Sequence, residues 1–565
     1  MSAPRHSTVP ALPQELWGLV SLELTSRRDF LSLFNLARVN RSMATEALPL
    51  LYSIHELSPA SSGDMAVLDV RKWAVLWRSI LASSLRGTLY PYCLWIKALS
   101  LGNLFSLLED LARDAYKDLR ALFFSAPLER FHIREPTGDN VATRSRRLWL
   151  AIEPIIFEAT DHLTEFIKSA AKEADKTVGL TSLEGLHMPA ARLLGWVSRL
   201  SLLTRLAVRD GSVLNSDVAV AIRENCPLFR ELMCHYCYGD DVDEDLSGFL
   251  RGLVPNSLAS FTIMSQNRGG TSTFMALGEH SSSLHELALY VEDFAAAELP
   301  LLGTCTNLVD VTLDVNPTLS PDWANNHRQE VRSIASWLKG CASLKTLSVT
   351  NLPGTLPILA EVLQVPSIKL TDLEISVIFS VHSREETIAF TKALAMQTEL
   401  TSFGFRSRDG AFGGSSDFVQ ALCHCTKLRK LDLTTQMLDV DDFNKLANAM
   451  QDVEWLGFDI DSEEPIGDEY TFVLAAMHQL KVLNINATTA FTYQGLLRWF
   501  DTFSNHPPRS HQGISIHIMR QVGTQKFSPT QLRKLNDKLA KQFGGKIDVT
   551  LDADPDELNE SDFSD

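Results

Sequence analysis

Apolar residues recur with two different spacings along the chain, and the spacing changes near residue 53. From Ala11 to Tyr52 they fall three and four positions apart, as on one face of an α-helix. Asp29 is placed to cap a second helix, and Pro49 should end or kink a third. The pattern therefore predicts three short amphipathic helices. The first carries an apolar stripe of Leu16, Leu19, Val20 and Leu24, and the second carries one of Phe30, Leu33, Phe34 and Ala37.

Beyond this stretch the dominant pattern is a six-residue unit, L-x-x-L-x-L, in which other apolar residues often replace leucine. It occurs irregularly at 96–101, 119–124 and 128–133, and then returns from Leu183 to Leu480 in eleven steps that average 27 residues. The last apolar pair of each unit alternates as in a β-strand, whereas intervening segments such as 418–425 have helical spacing. Each repeat therefore predicts one short parallel strand and one outer helix, as in a leucine-rich-repeat solenoid.

The predicted fold is α/β, with parallel strands inside the solenoid and helices outside. Its segments are a disordered N-terminus (1–10), a helical module (11–52), a helical neck with early irregular repeats (53–180), the solenoid (181–510), an α/β cap (511–551) and a disordered acidic tail (552–565). The cap is predicted because alternating isoleucines at 514, 516 and 518 precede a helix that starts at Ser528 and Pro529. The tail is predicted to be disordered because it holds seven acids and no base.

The charge balance argues against some kinds of partner. The net charge is −17, and removal of the seven tail acids leaves −10. An acidic protein is poorly suited to phosphate backbones, so we expect no nucleic-acid partner. No run approaches the length of a membrane span, and the polar start does not resemble a signal segment. Eight scattered cysteines fit a reducing compartment, so we expect an intracellular protein, cytoplasmic or nuclear.

Two cysteine clusters, Cys234-His-Tyr-Cys237 and Cys423-His-Cys425, raise the question of a zinc site. Four cysteines, however, stand three residues before the first anchor of a repeat, and Met450 and Met477 take the same slot in later repeats. A slot that accepts methionine favours a compact apolar group over a thiolate ligand, and no second ligand pair is in register. The glycine-rich stretch 408–414 lacks the Lys-Ser/Thr of a phosphate-binding loop. We expect no metal, no cofactor and no catalytic centre.

The first helical stretch carries residues that resemble an F-box. They are Leu12-Pro13-x-Glu15-Leu16, Val20, Asp29-Phe30-Leu31 and Val39-Asn40-Arg41, and the closing Leu50-Leu51-Tyr52 is similar to fungal F-box proteins. The resemblance covers about 40 of 565 residues, and it departs from the family at Met43, where many F-boxes have tryptophan. It implies a substrate-adaptor subunit of an SCF-type ubiquitin ligase, with a Skp-type linker protein on the module, a cullin beyond the linker, and a protein substrate on the repeats.

The residues expected to contact the linker protein follow from this resemblance. They are Leu12, Pro13, Leu16, Val20, Phe30, Leu33 and Val39. The alternative is a leucine-rich-repeat scaffold that acts outside any ligase, with the first 52 residues as a structural cap. A leucine-rich-repeat enzyme is a third possibility that no visible site supports.

Strand positions between the repeat anchors should face the concave surface of a solenoid. In the middle repeats they are mostly acidic: Glu286, Tyr290, Asp310, Asp314, Asp372, Glu374, Asp432 and Asp459, relieved by Arg406 and Lys430. An acidic face would steer a basic protein substrate toward it. Ordinary solvated strand residues of an acidic protein explain the same pattern equally well. Both interpretations stay open from the sequence.

Overall fold

The computed structural model describes residues 13–53, 67–136, 148–175, 177–186, 188–318, 323–377, 383–407, 416–434, 438–460, 465–503, 512–521 and 527–551. The chain forms two compact units, 1–264 and 265–565. The predicted disordered ends, Leu12 and the glycine-rich stretch 408–414 lie outside the described residues.

The first unit begins with the predicted helices and continues as strand–helix repeats. Its helices are α1 (Gln14–Ser26), α2 (Phe30–Ala37), α3 (Arg41–Ser53), α4 (Val67–Ser84), α5 (Leu101–Ala112), α6 (Lys117–Phe123), α7 (Ile152–Glu173), α8 (Ala190–Val197), α9 (Ser216–Asn225) and α10 (Val242–Gly252). Its strands are β1 (Ala98–Ser100), β2 (Arg134–Pro136), β3 (Leu148–Leu150), β4 (Ser182–Gly185), β5 (Arg205–Asp210), β6 (Glu231–Tyr236) and β7 (Ser260–Ile263). Strands β1, β4, β5, β6 and β7 form a parallel sheet in that order, and β2 pairs with β3 antiparallel.

Local capping explains where the helices of the module begin. Asp29 accepts a hydrogen bond from the Ser32 backbone N–H at 3.0 Å, as predicted for the cap of α2. Asn40 accepts one from the Met43 N–H at 2.9 Å and so caps α3. Of the two outcomes expected at Pro49, the end of the helix does not occur there, because α3 continues to Ser53. The proline removes one backbone donor, and the helix continues on its remaining bonds.

An aromatic cluster joins the module to the neck within the first unit. The Tyr52 ring at the end of α3 stacks on Tyr92 with centroids 4.6 Å apart, and Trp95 meets both rings edge-on. The Tyr52 hydroxyl is 2.6 Å from the Ser79 hydroxyl of α4. Burial raises the pKa of Tyr52, so the phenol stays neutral and available for this hydrogen bond.

The sheet of the first unit corrects the register of the early repeats. Leu99 lies opposite Leu183, and Leu183 lies opposite Leu206. Leu206 is the second anchor of the repeat that begins at Leu203, so Leu183 is the second anchor of the repeat before it. The first anchor of the repeat that contains Leu183 is therefore the buried Leu180, three residues before the predicted start. Residues 119–124 and 128–133 are not strands, because they lie in or beside α6 and a 3₁₀ turn. A leucine every three residues fits a helix as well as a repeat, which explains the wrong prediction.

The second unit continues the strand–helix pattern. Its helices are α11 (Thr271–Leu277), α12 (Trp323–Asn326), α13 (Arg328–Gly340), α14 (Thr355–Leu363), α15 (Arg384–Leu394), α16 (Ser416–Leu422), α17 (Val440–Ala449), α18 (Glu469–Leu474), α19 (Tyr493–Phe503) and α20 (Pro529–Phe543). Its strands are β8 (Glu286–Val291), β9 (Asp310–Val315), β10 (Thr346–Thr350), β11 (Asp372–Val377), β12 (Ser402–Ser407), β13 (Lys430–Thr434), β14 (Trp455–Ile460), β15 (Val482–Thr489), β16 (Ser515–Gln521) and β17 (Lys546–Leu551). They form a parallel sheet in sequence order.

The core of the second unit consists of repeat anchors stacked in register from strand to strand. One ladder of directly opposed residues runs Leu287, Val311, Leu347, Leu373, Phe403, Leu431, Leu456, Leu483, Ile516 and Ile547. All ten side chains are buried. The other face of each strand carries the positions between the anchors. The predicted α/β leucine-rich-repeat fold is confirmed by this register.

The predicted C-terminal cap is a continuation of the same sheet. Strand β16 pairs in parallel with β15 and β17 pairs in parallel with β16, with α20 connecting the last two strands. Ile514, Ile516 and Ile518 occupy buried positions in this arrangement. The described part of the chain contains no helix with both the length and the apolar character needed to cross a bilayer.

We expect the Leu431→Ala variant to lower the free energy of unfolding by about 2–5 kcal/mol, because it empties a fully buried anchor position. Urea unfolding followed by far-UV circular dichroism measures the loss. The exposed Thr426 serves as a control, since Thr426→Ala should change the free energy by no more than about 0.5 kcal/mol. Equal effects of the two substitutions would contradict the anchor ladder.

Candidate functional site

The helical module exposes an unusual amount of apolar side chain. Eight large apolar residues in α1, α2 and the turn after α2 are 37% to 70% exposed, and we call them the apolar face. They are Leu16, Leu19, Val20, Leu22, Phe30, Leu31, Phe34 and Val39. A folded protein seldom leaves so many large apolar side chains in water unless another surface covers them.

The orientation of α1 accounts for much of this exposure. Leu16, Leu19 and Val20 are three and four residues apart and therefore share one side of the helix, which is the side turned outward. Ser21 is the buried residue of α1, and the space beyond Gly18 is filled by the carboxylate of Glu46. Trp17 and Leu24 are half-buried on the inward side. Of the stripe predicted from the sequence, Leu16, Leu19 and Val20 therefore point outward, whereas Leu24 contributes to the module's own packing.

The residues predicted to contact a linker protein fall into three groups. Pro13, Leu16, Val20, Phe30 and Val39 are exposed, and Leu12 lies outside the described residues. Leu33 has no exposed surface, because it packs between the helices as part of the module's core, so its predicted docking role is corrected.

Four exposed residues of the apolar face were not named as contacts from the sequence: Leu19, Leu22, Leu31 and Phe34. Helical periodicity had already placed Leu19 and Phe34 on apolar stripes. The direction in which those stripes would point was not visible from the spacing.

The predicted acidic residues of the second unit come together on the open face of β8–β11. Glu286 lies opposite Asp310, which lies opposite Thr346, which in turn lies opposite Asp372. Neighbouring strands are about 4.8 Å apart, so these three carboxylates form a short line across the strands. We call Glu286, Asp310 and Asp372 the acidic row. Tyr290 and Asp314 are opposed four residues further along β8 and β9.

Like charges and burial oppose ionisation in this region. Burial raises the pKa of Asp310, and the nearby Glu286 and Asp372 carboxylates raise it further, against a hydrogen bond from Thr346. Burial likewise raises the pKa of Asp314. No ion pair within the described residues involves a member of the acidic row. Carboxylates that repel one another in a half-buried setting favour the approach of a cation.

The next strands differ, because there the charges are already paired. Arg406 of β12 lies 2.7 Å from an Asp432 carboxylate oxygen and 3.8 Å from Glu374. The hydrogen bond with Asp432 raises the pKa of Arg406. Asp432 is buried and occupied by this contact, so its predicted role in binding a substrate is corrected. Asp459 lies on β14 opposite Thr434 and Asn486, and its side chain is outside the described part.

Trp455 is an open-face residue that the charge pattern missed. It stands opposite Lys430, whose ammonium group lies 5.3 Å from the centre of the indole ring. The ring lies across Gly457, where an added Cβ would be 2.5 Å from a ring carbon. Its position, just before the anchor Leu456, would have identified it as an open-face residue.

The cysteines behave as buried apolar groups. Cys226, Cys305, Cys341 and Cys425 occupy the slot before the first anchor, and burial raises the pKa of Cys305 to about 11 and that of Cys341 to about 12. Cys234 and Cys237 are also buried, and their mutual hydrogen bond raises the pKa of Cys234. Protonated thiols are poor metal ligands. Among the described residues, no group of three or more His, Cys, Asp or Glu side chains could hold a metal ion.

The raised pKa of Asp310 predicts a pH-dependent cost. Below about pH 4 the carboxyl group is protonated in both the folded and the unfolded chain, and the cost is absent. As pH rises through the interval up to the raised folded pKa, the unfolded chain loses its proton first and stability falls. Asp310→Asn should therefore stabilise the protein at pH 7, by less than about 1 kcal/mol because water screens a half-exposed charge.

Thermal unfolding of wild type and Asp310→Asn at pH 4 and pH 7 measures this difference. Asp452→Asn, at an exposed turn, is the control and should show no gain at either pH. A gain for Asp310→Asn that is larger at pH 4 than at pH 7 would contradict the assignment.

Comparisons with known proteins identify no family for this chain. No protein-family model matches it, and no curated protein matches it. Among solved structures, the leucine-rich repeat-containing protein LegL7 from Legionella pneumophila is similar, with 13% sequence identity over 56% of this chain and 85% of that one and a TM-score of 0.26. A TM-score this low supports no conclusion, so the fold assignment depends on the strand register described above. The strand register shows the fold of a leucine-rich-repeat solenoid, and the F-box resemblance remains a hypothesis.

Proposed function

We propose that this protein is a non-catalytic adaptor that holds two other proteins near each other. The helical module would bind a Skp-type linker protein of an SCF-type ubiquitin ligase, and the open face of β8–β11 would bind a protein substrate with basic character. The observation that supports this proposal best is the apolar face of the module, which is turned away from its own core.

The module suits protein docking because its apolar side chains are already exposed, so a partner can bury them without any part of the module unfolding. Burial of a large apolar side chain contributes about 1.5–3 kcal/mol, and the apolar face offers several such side chains on two helices. The F-box resemblance suggests which protein would cover them. Pro13, Leu16, Val20, Phe30 and Val39 remain the proposed contacts, since all five are exposed.

The acidic row would attract a substrate segment rich in lysine or arginine. Its carboxylates lie close together on β8, β9 and β11 and lack an ion-pair partner among the described residues, so a basic segment would relieve their repulsion. Such an adaptor performs no bond chemistry. It would act by raising the effective concentration of a substrate lysine near the ubiquitin-conjugating enzyme.

A scaffold that acts outside any ligase is the second candidate. The same repeats would bind a protein partner, and the helical module would serve as a structural cap. The capping role is less well supported, because a cap should turn its apolar side chains toward the repeats that it covers, and α1 turns them outward.

We expect a Leu16→Asp/Val20→Asp variant to lose at least about a hundredfold in affinity for a Skp-type linker protein. Anchors at the centre of an interface contribute about 2 kcal/mol or more each, and a carboxylate in that place must also be desolvated. Isothermal titration of the purified full-length chain with the purified linker protein measures the affinity.

The matched control is Leu89→Asp/Val75→Asp, which changes an exposed leucine and an exposed valine outside the module. It should bind the linker protein as wild type does. If the wild-type chain does not bind, or if both double variants bind equally, the adaptor role is wrong and the scaffold becomes the better account.

For the acidic row we expect salt-sensitive binding of a fluorescein-labelled peptide of alternating Lys, Arg and Gly. Affinity should fall steeply between low salt and about 0.5 M, because added ions screen exposed charges over a few ångströms. Asp310→Lys/Asp372→Lys should abolish binding measured by fluorescence anisotropy. These two residues are chosen because Glu374 already lies near Arg406.

Asp452→Lys/Asp537→Lys is the control for net charge, since it alters the total charge by the same amount at an exposed turn and on α20. It should weaken peptide binding only slightly. Binding that is insensitive to salt, or lost equally in both variants, would show that the acidic row is merely solvated.

A further inference from the structure

The sheet of the second unit ends at β17, and one side of this strand has no neighbouring strand among the described residues. Residues of a strand alternate between its two hydrogen-bonding sides. The Lys546 N–H donates to the Ile514 carbonyl at 2.8 Å, so Lys546 faces the preceding chain. Ile547 and Val549 therefore direct their backbone groups to the outer side. An edge of this kind is a template on which another strand can assemble.

A side-chain amide occupies part of that edge. The Ile547 N–H donates to Oδ1 of Asn536 at 2.9 Å, and Nδ2 of Asn536 donates to the Ile547 carbonyl at 2.7 Å. One amide group thus satisfies both backbone groups of Ile547, as the backbone of an adjacent strand would do. Asn536 is held over the edge by α20, whose Leu535 and Leu539 are buried.

The edge itself fits a second copy of the same strand. If two β17 strands paired antiparallel about Ile547, Lys546 of each would lie opposite Asp548 of the other. Both residues are exposed, and their charges are opposite, so the pairing would be self-complementary. The two backbone groups at the centre of that pairing are the ones that Asn536 occupies.

We propose that Asn536 guards the edge of the sheet and prevents two copies of this protein from joining through β17. The amide satisfies the groups at the centre of the edge and blocks the approach of a second strand. The proposal concerns the C-terminal end of the chain, and it does not depend on the adaptor function.

The test is the mass of the full-length chain in solution. Asn536→Ala opens the edge, and sedimentation velocity should then show an average mass that rises with concentration toward twice the wild-type value. Asn448→Ala is the matched control, because Asn448 is exposed on α17 and bonds only to Asn444 of the same helix. The control should sediment as wild type does.

A second substitution distinguishes edge pairing from general aggregation. Val549→Pro removes an outward N–H that a second β17 would need, and it leaves the bonds to β16 intact. Adding it to Asn536→Ala should restore the wild-type mass. If the Asn536→Ala mass does not change in a folded variant, or if the double variant still associates, the proposal is overturned.

Asn536→Asp covers the case in which the alanine variant does not fold. It keeps the size of the side chain, but its second oxygen would face the Ile547 carbonyl and can no longer donate to it. It should also associate, and a folded Asn536→Asp chain at the wild-type mass would overturn the proposal.

Discussion

The stacking of repeat anchors in register is the constraint on which the rest of this structure depends. Each repeat presents buried positions that its own helix cannot cover, and the next repeat covers them. In the second unit the ladder from Leu287 to Ile547 aligns one anchor from each of ten strands, and the register shifts beyond it at the ends of the last two strand pairs. A slip of one residue would move every anchor to the open face, so a single register decides both the core and the residues offered to a partner. The ladder also creates an end, which is where Asn536 becomes necessary.

Two surfaces carry residues that do not stabilise the folded chain itself. On α1, Leu16, Leu19 and Val20 lie on one side of the helix and are exposed to solvent. The acidic row places like charges close together on β8, β9 and β11, and burial raises the pKa of Asp310. Each arrangement costs stability in the isolated chain. Residues that destabilise an isolated chain are commonly those that bind a partner. The two surfaces are therefore the ones expected to bind proteins in the proposed adaptor.

The open face differs in charge pairing between β8–β11 and β12–β13. Arg406 pairs with Asp432 and approaches Glu374, whereas Glu286, Asp310 and Asp372 have no ion-pair partner among the described residues. Both regions are acidic in sequence. Only the first keeps uncompensated charge, so only the first can gain free energy when a cation arrives. Lys430, which lies above the Trp455 ring, is a second cation that already has a partner in the region of β12–β14.

The sequence by itself determined the repeat, the strand–helix order, the cap at Asp29, the start of the last helix at Ser528 and Pro529, and the apolar slot shared by cysteine and methionine. These features depend on local spacing, which a linear chain records directly. It failed at residues 119–133, where a leucine every three positions fits either a helix or a repeat.

Tertiary structure decided the remaining questions, because they concern direction and neighbours. Spacing shows that Leu16 and Leu33 each lie on an apolar stripe, but only packing shows that Leu16 points outward and Leu33 inward. The sequence shows that residues 310 and 432 are both aspartates. That Asp432 is buried against Arg406 while Asp310 faces Glu286 follows from which strands become adjacent, and residues far apart in the chain acquire neighbours only when the sheet forms.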